Sequence, residues 1–269
     1  MRDFADRIKR LLVGRPVPSG ALGETLLPKR IALPVFASDA LSSVGYAPDE
    51  VLITLAVAGV AATSLSPWVA LAVVGVLAVV VASYRQTVHA YPSGGGDYEV
   101  VSANLGSHAG LLVASALLSD YVLTVAVSVS SGTSYLAAAL PALVPYKVEI
   151  AVAVVTVLAV LNMRGSRESG RAFAIPTYLY MGVIGIMAVV GLIQELTGTL
   201  GRAESAGFDV VTHAGWEQGL TGLAGGFLVL RAFSSGCAAL TGVEAISNGV
   251  PSFQRPKSRN AATTLLLLV

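Results

Sequence analysis

Asp39, Asp120 and Glu244 are carboxylic acids set inside apolar stretches long enough to cross a bilayer, which takes about 20 residues. An ionisable side chain at membrane depth is costly, so each of the three is a candidate functional residue. Asp39 stands in Ala37-Ser38-Asp39-Ala40-Leu41-Ser42-Ser43-Val44-Gly45-Tyr46, with Pro48 just beyond. Serine hydroxyls, a glycine and a tyrosine replace the Leu and Val of an ordinary membrane helix. That composition predicts a helix interrupted between Ala37 and Tyr46, and an interruption is tolerated only where it faces protein or a water-filled cavity. The chemistry on offer is cation binding, with a carboxylate for charge and hydroxyls and free carbonyls for coordination.

Asp120 shares a stripe with Thr124 and Ser128, because positions i, i+4 and i+8 stack on one helix face. Tyr121 lies beside it. Taken alone, the two hydroxyls would be glue between helices; a carboxylate on the same stripe turns them toward a site. Glu244 closes the run Arg231-Ala232-Phe233-Ser234-Ser235-Gly236-Cys237-Ala238-Ala239-Leu240-Thr241-Gly242-Val243-Glu244, again small and polar in mid-span, with Gly249-Val250-Pro251 after it. Two interrupted helices five spans apart mark the binding site of an inverted-repeat transporter. Arg231 reads as a partner to an acid or as a snorkelling side chain. Asp49 reads as a first-turn acid after Pro48, and Glu50 as that or as part of an outer vestibule. Gly94-Gly95-Gly96 lacks the Lys-Ser/Thr of a phosphate loop and reads as a tight turn.

These residues must be held by membrane helices. The 269 residues are 54% hydrophobic and 12% charged, half the charge content of about 25% usual in soluble domains. With a mean hydropathy of +0.73, the chain is predicted to be an all-α polytopic membrane protein. A net charge of +1 gives no field for nucleic acid. The single cysteine, Cys237, excludes an intramolecular disulfide and a cysteine metal site. His89, His108 and His213 are far apart, so no cofactor and no enzyme chemistry is expected. Met1 to Arg15 is too charged for a signal peptide.

Residues 1–29 form a basic segment in which Phe4, Ile8, Leu11 and Leu12 recur at helical spacing, as in an amphipathic helix on the cytoplasmic surface. Residues 30–269 form the transmembrane domain. Its spans are predicted near 31–60, 68–84, 110–140, 148–163, 172–196 and 220–250, and residues 261–269 begin a seventh. That last run is too short to cross, so the expectation is the N-terminal part of a longer protein, truncated within helix 7. Fourteen Lys and Arg residues fall on one side of these spans and two on the other, which puts the N-terminus in the cytoplasm and the protein in the cell membrane.

Pro92-x-x-Gly95-Gly96-x-Tyr98 after the second span and Gly242-Val243-Glu244 in the sixth resemble the amino acid–polyamine–organocation superfamily. Within it, Phe36 to Ser43, Tyr84 to Pro92, Asp120 to Thr124 and Arg231 to Cys237 are similar to the KimA-type potassium importers. The resemblance covers nearly all of residues 30–260. It implies a LeuT-type fold with discontinuous helices 1 and 6, and potassium uptake coupled to protons. On matching positions the implied ion site is Asp39, Tyr46, Asp120, Tyr121, Thr124, Ser128, Thr241 and Glu244. It also implies a homodimer and cyclic di-AMP regulation, both through a C-terminal domain that this chain lacks.

The expected cargo is therefore potassium, with protons as the coupling ion. Three carboxylates exceed what one monovalent ion needs, and like charges held close do not all ionise together. At least one is expected to hold a proton for part of the cycle, with Glu244 the first choice. An amino-acid or organic-cation permease of the same superfamily is the alternative. Asp39 at the first break would repel a substrate carboxylate, an objection that an organic cation escapes. A non-transporting membrane sensor would instead pair its buried acids internally.

Overall fold

In a bilayer each backbone N–H and C=O must be paired within its own segment, and apolar runs of this length therefore become helices. The computed structural model describes residues 26–94, 96–163, 166–202 and 220–267 and positions 207, 212, 213, 215 and 216, with the backbone alone for 166–169 and 171. The amphipathic helix expected around Phe4 to Leu12 lies outside the described residues. The helices are α1 (Lys29–Phe36), α2 (Ser38–Ala56), α3 (Ser66–Ala90), α4 (Asp97–Leu105), α5 (Ser107–Ala139), α6 (Lys147–Met163), α7 (Ser166–Thr197), α8 (Gly222–Gly236), α9 (Val243–Asn248) and α10 (Lys257–Leu266). Among the described residues the only β pairing is a single parallel bridge between Leu27 and Phe253. The chain is an all-α, multi-pass membrane protein. Among the described residues, five helical segments are long and apolar enough to cross a membrane: 60–90, 107–139, 141–163, 172–197 and 222–248.

The first predicted span is absent from that set; it is split, and its longer half carries the three acids Asp39, Asp49 and Glu50. The break falls at Ala37, at the edge of the stretch expected to be interrupted, and Ser38 to Tyr46 are helical. Pro34 weakens the chain just upstream, since it cannot donate to the Arg30 carbonyl one turn back. The Tyr178 hydroxyl on α7 donates to that carbonyl instead, at 2.9 Å. Pro48 lies well inside α2 and does not end it. Asp49 and Glu50 are consequently exposed mid-helix residues and not first-turn acids of the second half-helix.

The sixth span is also discontinuous. After α8 the chain makes a 3-10 turn over Cys237–Leu240, extends at Thr241 (φ −62°, ψ 148°), and turns left-handed at Gly242 (φ 81°) before α9 begins.

Burial is concentrated where α1, α2, α3, α8, α9 and α10 meet. Leu33, Ala37, Leu77, Val81, Val243, Ile246, Phe253 and Leu265 form one core cluster. Val51, Leu55, Val69, Leu228 and Ala232 form a second. Small residues let these helices approach closely, as membrane packing favours: a Cβ on Gly236 would lie 2.9 Å from Val51 and 3.0 Å from Val73. By contrast α6 has no buried residue, so its apolar side chains are free to face lipid or further protein.

Candidate ion-binding site

The two breaks meet. Gly242 lies against the first turn of α2, so close that a Cβ there would come within 2.6 Å of the Ala40 nitrogen and 2.7 Å of the Asp39 carboxyl carbon. As the first residues of a helix, Ser38, Asp39 and Ala40 present N–H groups with no acceptor within their own helix. Asp39 is therefore a first-turn acid with one carboxylate oxygen, Oδ1, buried and without a hydrogen-bond partner. Glu244, in the first turn of α9, has a buried and unpartnered Oε1. Buried polar atoms are nearly all paired in folded proteins, so two orphan carboxylate oxygens at the junction call for an explanation.

Hydroxyls connect the broken helices. Tyr46 donates to Ser43 at 3.1 Å, Ser43 and Thr241 are 2.7 Å apart, and Thr241 donates to the Ala238 carbonyl at 2.8 Å. Ser42 joins α2 to α5 through Ser128 at 3.2 Å. Beside this junction is a cavity of about 430 Å³ whose lining includes Ser42, Tyr46, Ser128 and Tyr135.

The site residues expected from sequence divide as follows. Asp120 on α5 lies within electrostatic reach of Asp39 on α2. Glu244 faces Asp120 and Tyr121. Tyr46 and Thr241 are linked through Ser43, and Ser128 reaches α2 through Ser42. Thr124 is buried on the stripe between Asp120 and Ser128. The three acids are neighbours, but among the described residues no three His, Cys, Asp or Glu side chains are close enough to hold one metal ion together.

Three participants were not foreseen. Ser43 is fully buried and joins Tyr46 to Thr241; its spacing from Asp39 and Tyr46, four and three residues, places it on their face of α2. Asp97, from the loop read as a plain turn, accepts a hydrogen bond from Tyr84 at 2.9 Å and faces Glu244. Asn248 donates to Tyr121 at 2.9 Å. Nothing in local sequence marks the last two, because tertiary packing alone brings Asp97 to Tyr84 and Asn248 to Tyr121.

Paired broken helices around half-buried acids define the class as a multi-pass membrane protein with a candidate site at the helix breaks. The amino acid permease family model matches residues 35–269, and the chain belongs to that family. It is 45% identical over 261 residues to the potassium transporter KimA of Bacillus subtilis (strain 168), covering 97% of this chain and 42% of that protein. It is also 32% identical over 137 residues to the probable potassium transport system protein Kup 1 of Bradyrhizobium sp. (strain ORS 278), covering 51% of this chain and 20% of that one. The chain thus spans about two fifths of the length of the relative that it matches almost end to end.

Proposed function

We propose that this chain carries the ion site of a secondary transporter that imports potassium across the cell membrane together with protons, with its N-terminus in the cytoplasm. The observation that carries the reading is the buried, unpartnered Asp39 Oδ1 at the meeting point of two broken helices. A carboxylate oxygen in that position needs a cation, a proton or water, and the surrounding oxygens from Tyr46, Thr124, Ser128 and Thr241 supply a neutral shell. Asp39 and Asp120 provide the charge. Glu244 is assigned the proton, with the Tyr121 hydroxyl beside it. The name of the 45% identical relative supports potassium as cargo. No enzymatic step and no resident cofactor enters this reading.

The match to an amino acid permease model favours one other cargo class. A zwitterionic amino acid would have to bring its carboxylate to the N–H groups of Ser38 to Ala40, where Asp39 repels it. An organic cation meets no such penalty. Uptake measured in a bacterial strain lacking other potassium importers separates these readings. The full-length protein should restore growth at low potassium, and Asp39→Asn or Asp120→Asn should abolish the rescue. Retention of uptake by both variants overturns the site. Competition by an organic cation in place of potassium moves the assignment to the second class.

A further inference from the structure

Each hydroxyl has a single hydrogen, and this fixes the direction of the chain through Ser43. Thr241 gives its hydrogen to the Ala238 carbonyl, 2.8 Å away. The 2.7 Å contact between Ser43 and Thr241 must therefore be a donation by Ser43. Ser43 can make it because its own oxygen accepts from Tyr46, at 3.1 Å. The order runs Tyr46 to Ser43 to Thr241 to the Ala238 carbonyl. All three hydrogens are used within the chain, and the oxygens of Tyr46 and Thr241 keep lone pairs for something else.

We propose that Ser43 is a positioning residue for the cation site: it binds no ion itself, and it turns the Tyr46 and Thr241 hydroxyls so that they present lone pairs and not hydrogens. This rests on the proposed potassium site, since Tyr46 and Thr241 are two of its ligands. Ser43 is suited to the task. It is fully buried, so water cannot substitute for it, and it spans the two discontinuous helices from the first turns of α2 to the Thr241–Gly242 break. A site whose hydroxyl hydrogens are already committed favours a cation and disfavours an anionic group, which would need those hydrogens. The same wiring makes cation affinity depend on the relative placement of α2 and the Thr241 break. Movement of either half releases a hydrogen into the site and weakens the hold on the ion.

In Ser43→Ala the Tyr46 hydrogen loses its acceptor and is free to turn inward, while Thr241 loses a donor. Concentration-dependent potassium uptake by the full-length protein in liposomes should show the half-saturating concentration raised about fivefold to tenfold, the equivalent of roughly one net hydrogen bond. The maximal rate per folded transporter should change by less than about twofold, because the chemistry of proton release is untouched. Ser43→Thr, which keeps the hydroxyl, should restore affinity. Should the added methyl prevent folding, Thr241→Val supplies the second test. With Thr241 unable to accept or donate, adding Ser43→Ala should raise the half-saturating concentration by a clearly smaller factor than it does alone, because only the release of the Tyr46 hydrogen remains, the signature of residues that share one contact. A Ser43→Ala protein with unaltered affinity, or effects of Ser43→Ala and Thr241→Val that multiply in full, overturns the inference while leaving the potassium reading intact. A wild-type protein that takes up no potassium overturns both.

Discussion

Gly242 and Asp39 touch backbone to side chain, so closely that the Cβ of any other residue at 242 would sit 2.8 Å from the Asp39 Cβ. The contact is what brings the break in the sixth span onto the first turn of α2. Two separate constraints select glycine here: the space, and a left-handed φ of 81°. A residue with a Cβ pays for the second alone with roughly 1–2 kcal/mol.

Gly242→Ala should therefore push α9 away from α2, separating Asp39 from Thr241. Potassium uptake should be lost while the protein still reaches the membrane. Gly75→Ala, at a helical position where nothing lies within 4 Å of an added Cβ, serves as the control and should transport normally. Uptake per copy of transporter, normalised by surface labelling, checks both. Wild-type uptake by Gly242→Ala would show that the two breaks need not touch.

Much of this arrangement was legible in the sequence, because intramembrane polar residues are expensive enough to stand out. Asp39, Asp120 and Glu244 identified three helices that the structure brings together, and the small, polar run before Glu244 marked the second break. The first break falls at Ala37, the first residue of the stretch expected to hold it, for a physical reason. Polarity from Ser38 to Tyr46 reports what a helix faces, and the helix itself persists; the weak point is set by Pro34, upstream of the polar run. For the same reason Pro48 looked like a helix start and is an interior residue. Asp97 and Asn248 were illegible because each meets its partner, Tyr84 for Asp97 and Tyr121 for Asn248, only through packing between separate elements.

Asn248 should matter through Tyr121. Its amide donates to the Tyr121 hydroxyl at 2.9 Å. The amide has room only because residue 96 is glycine: a Cβ there would run into it. Gly96→Ala and Asn248→Ala are both expected to release Tyr121 and to lower the thermal midpoint in detergent, each by the equivalent of about 1 kcal/mol. In a Tyr121→Phe background Asn248→Ala should cost little more, as residues sharing one hydrogen bond do not add. Full additivity in a thermal-shift series would sever the link.

Tyr84 and Asp97 offer a pair of substitutions with opposite expected signs. Tyr84→Phe deletes a 2.9 Å bond to a carboxylate and leaves that half-buried acid with one partner fewer. Stability should fall by about 1.5 kcal/mol, the lower end for a bond to a charged group. Asp97→Asn keeps an oxygen for Tyr84 and removes a negative charge facing Glu244. It should leave stability equal or higher. Unfolding midpoints of the two variants in the same detergent decide the matter, and a larger loss in Asp97→Asn than in Tyr84→Phe would contradict the account.

Glu244 is the residue on which proton coupling stands or falls. Its Oε1 is buried without a partner, and its other neighbours include Asp97, Asp120 and Tyr121. Two of those are acids, so ionisation of all three together in a low-dielectric setting is disfavoured, and a proton bound at Glu244 removes the conflict. Release of that proton on one side of the membrane and capture on the other would couple its gradient to the ion held by Asp39. Glu244→Gln mimics the protonated state permanently. Downhill potassium exchange should survive in this variant, because the Asp39 end of the site is intact. Uphill uptake driven by an imposed pH gradient should disappear, and the dependence of uptake on external pH should flatten. Liposomes loaded with a pH-sensitive dye measure both at once: wild-type protein should carry protons inward when potassium is added, and Glu244→Gln should not. Normal pH dependence in Glu244→Gln would transfer the proton to another acid of the group, with Asp120, within electrostatic reach of both Asp39 and Glu244, the next to substitute.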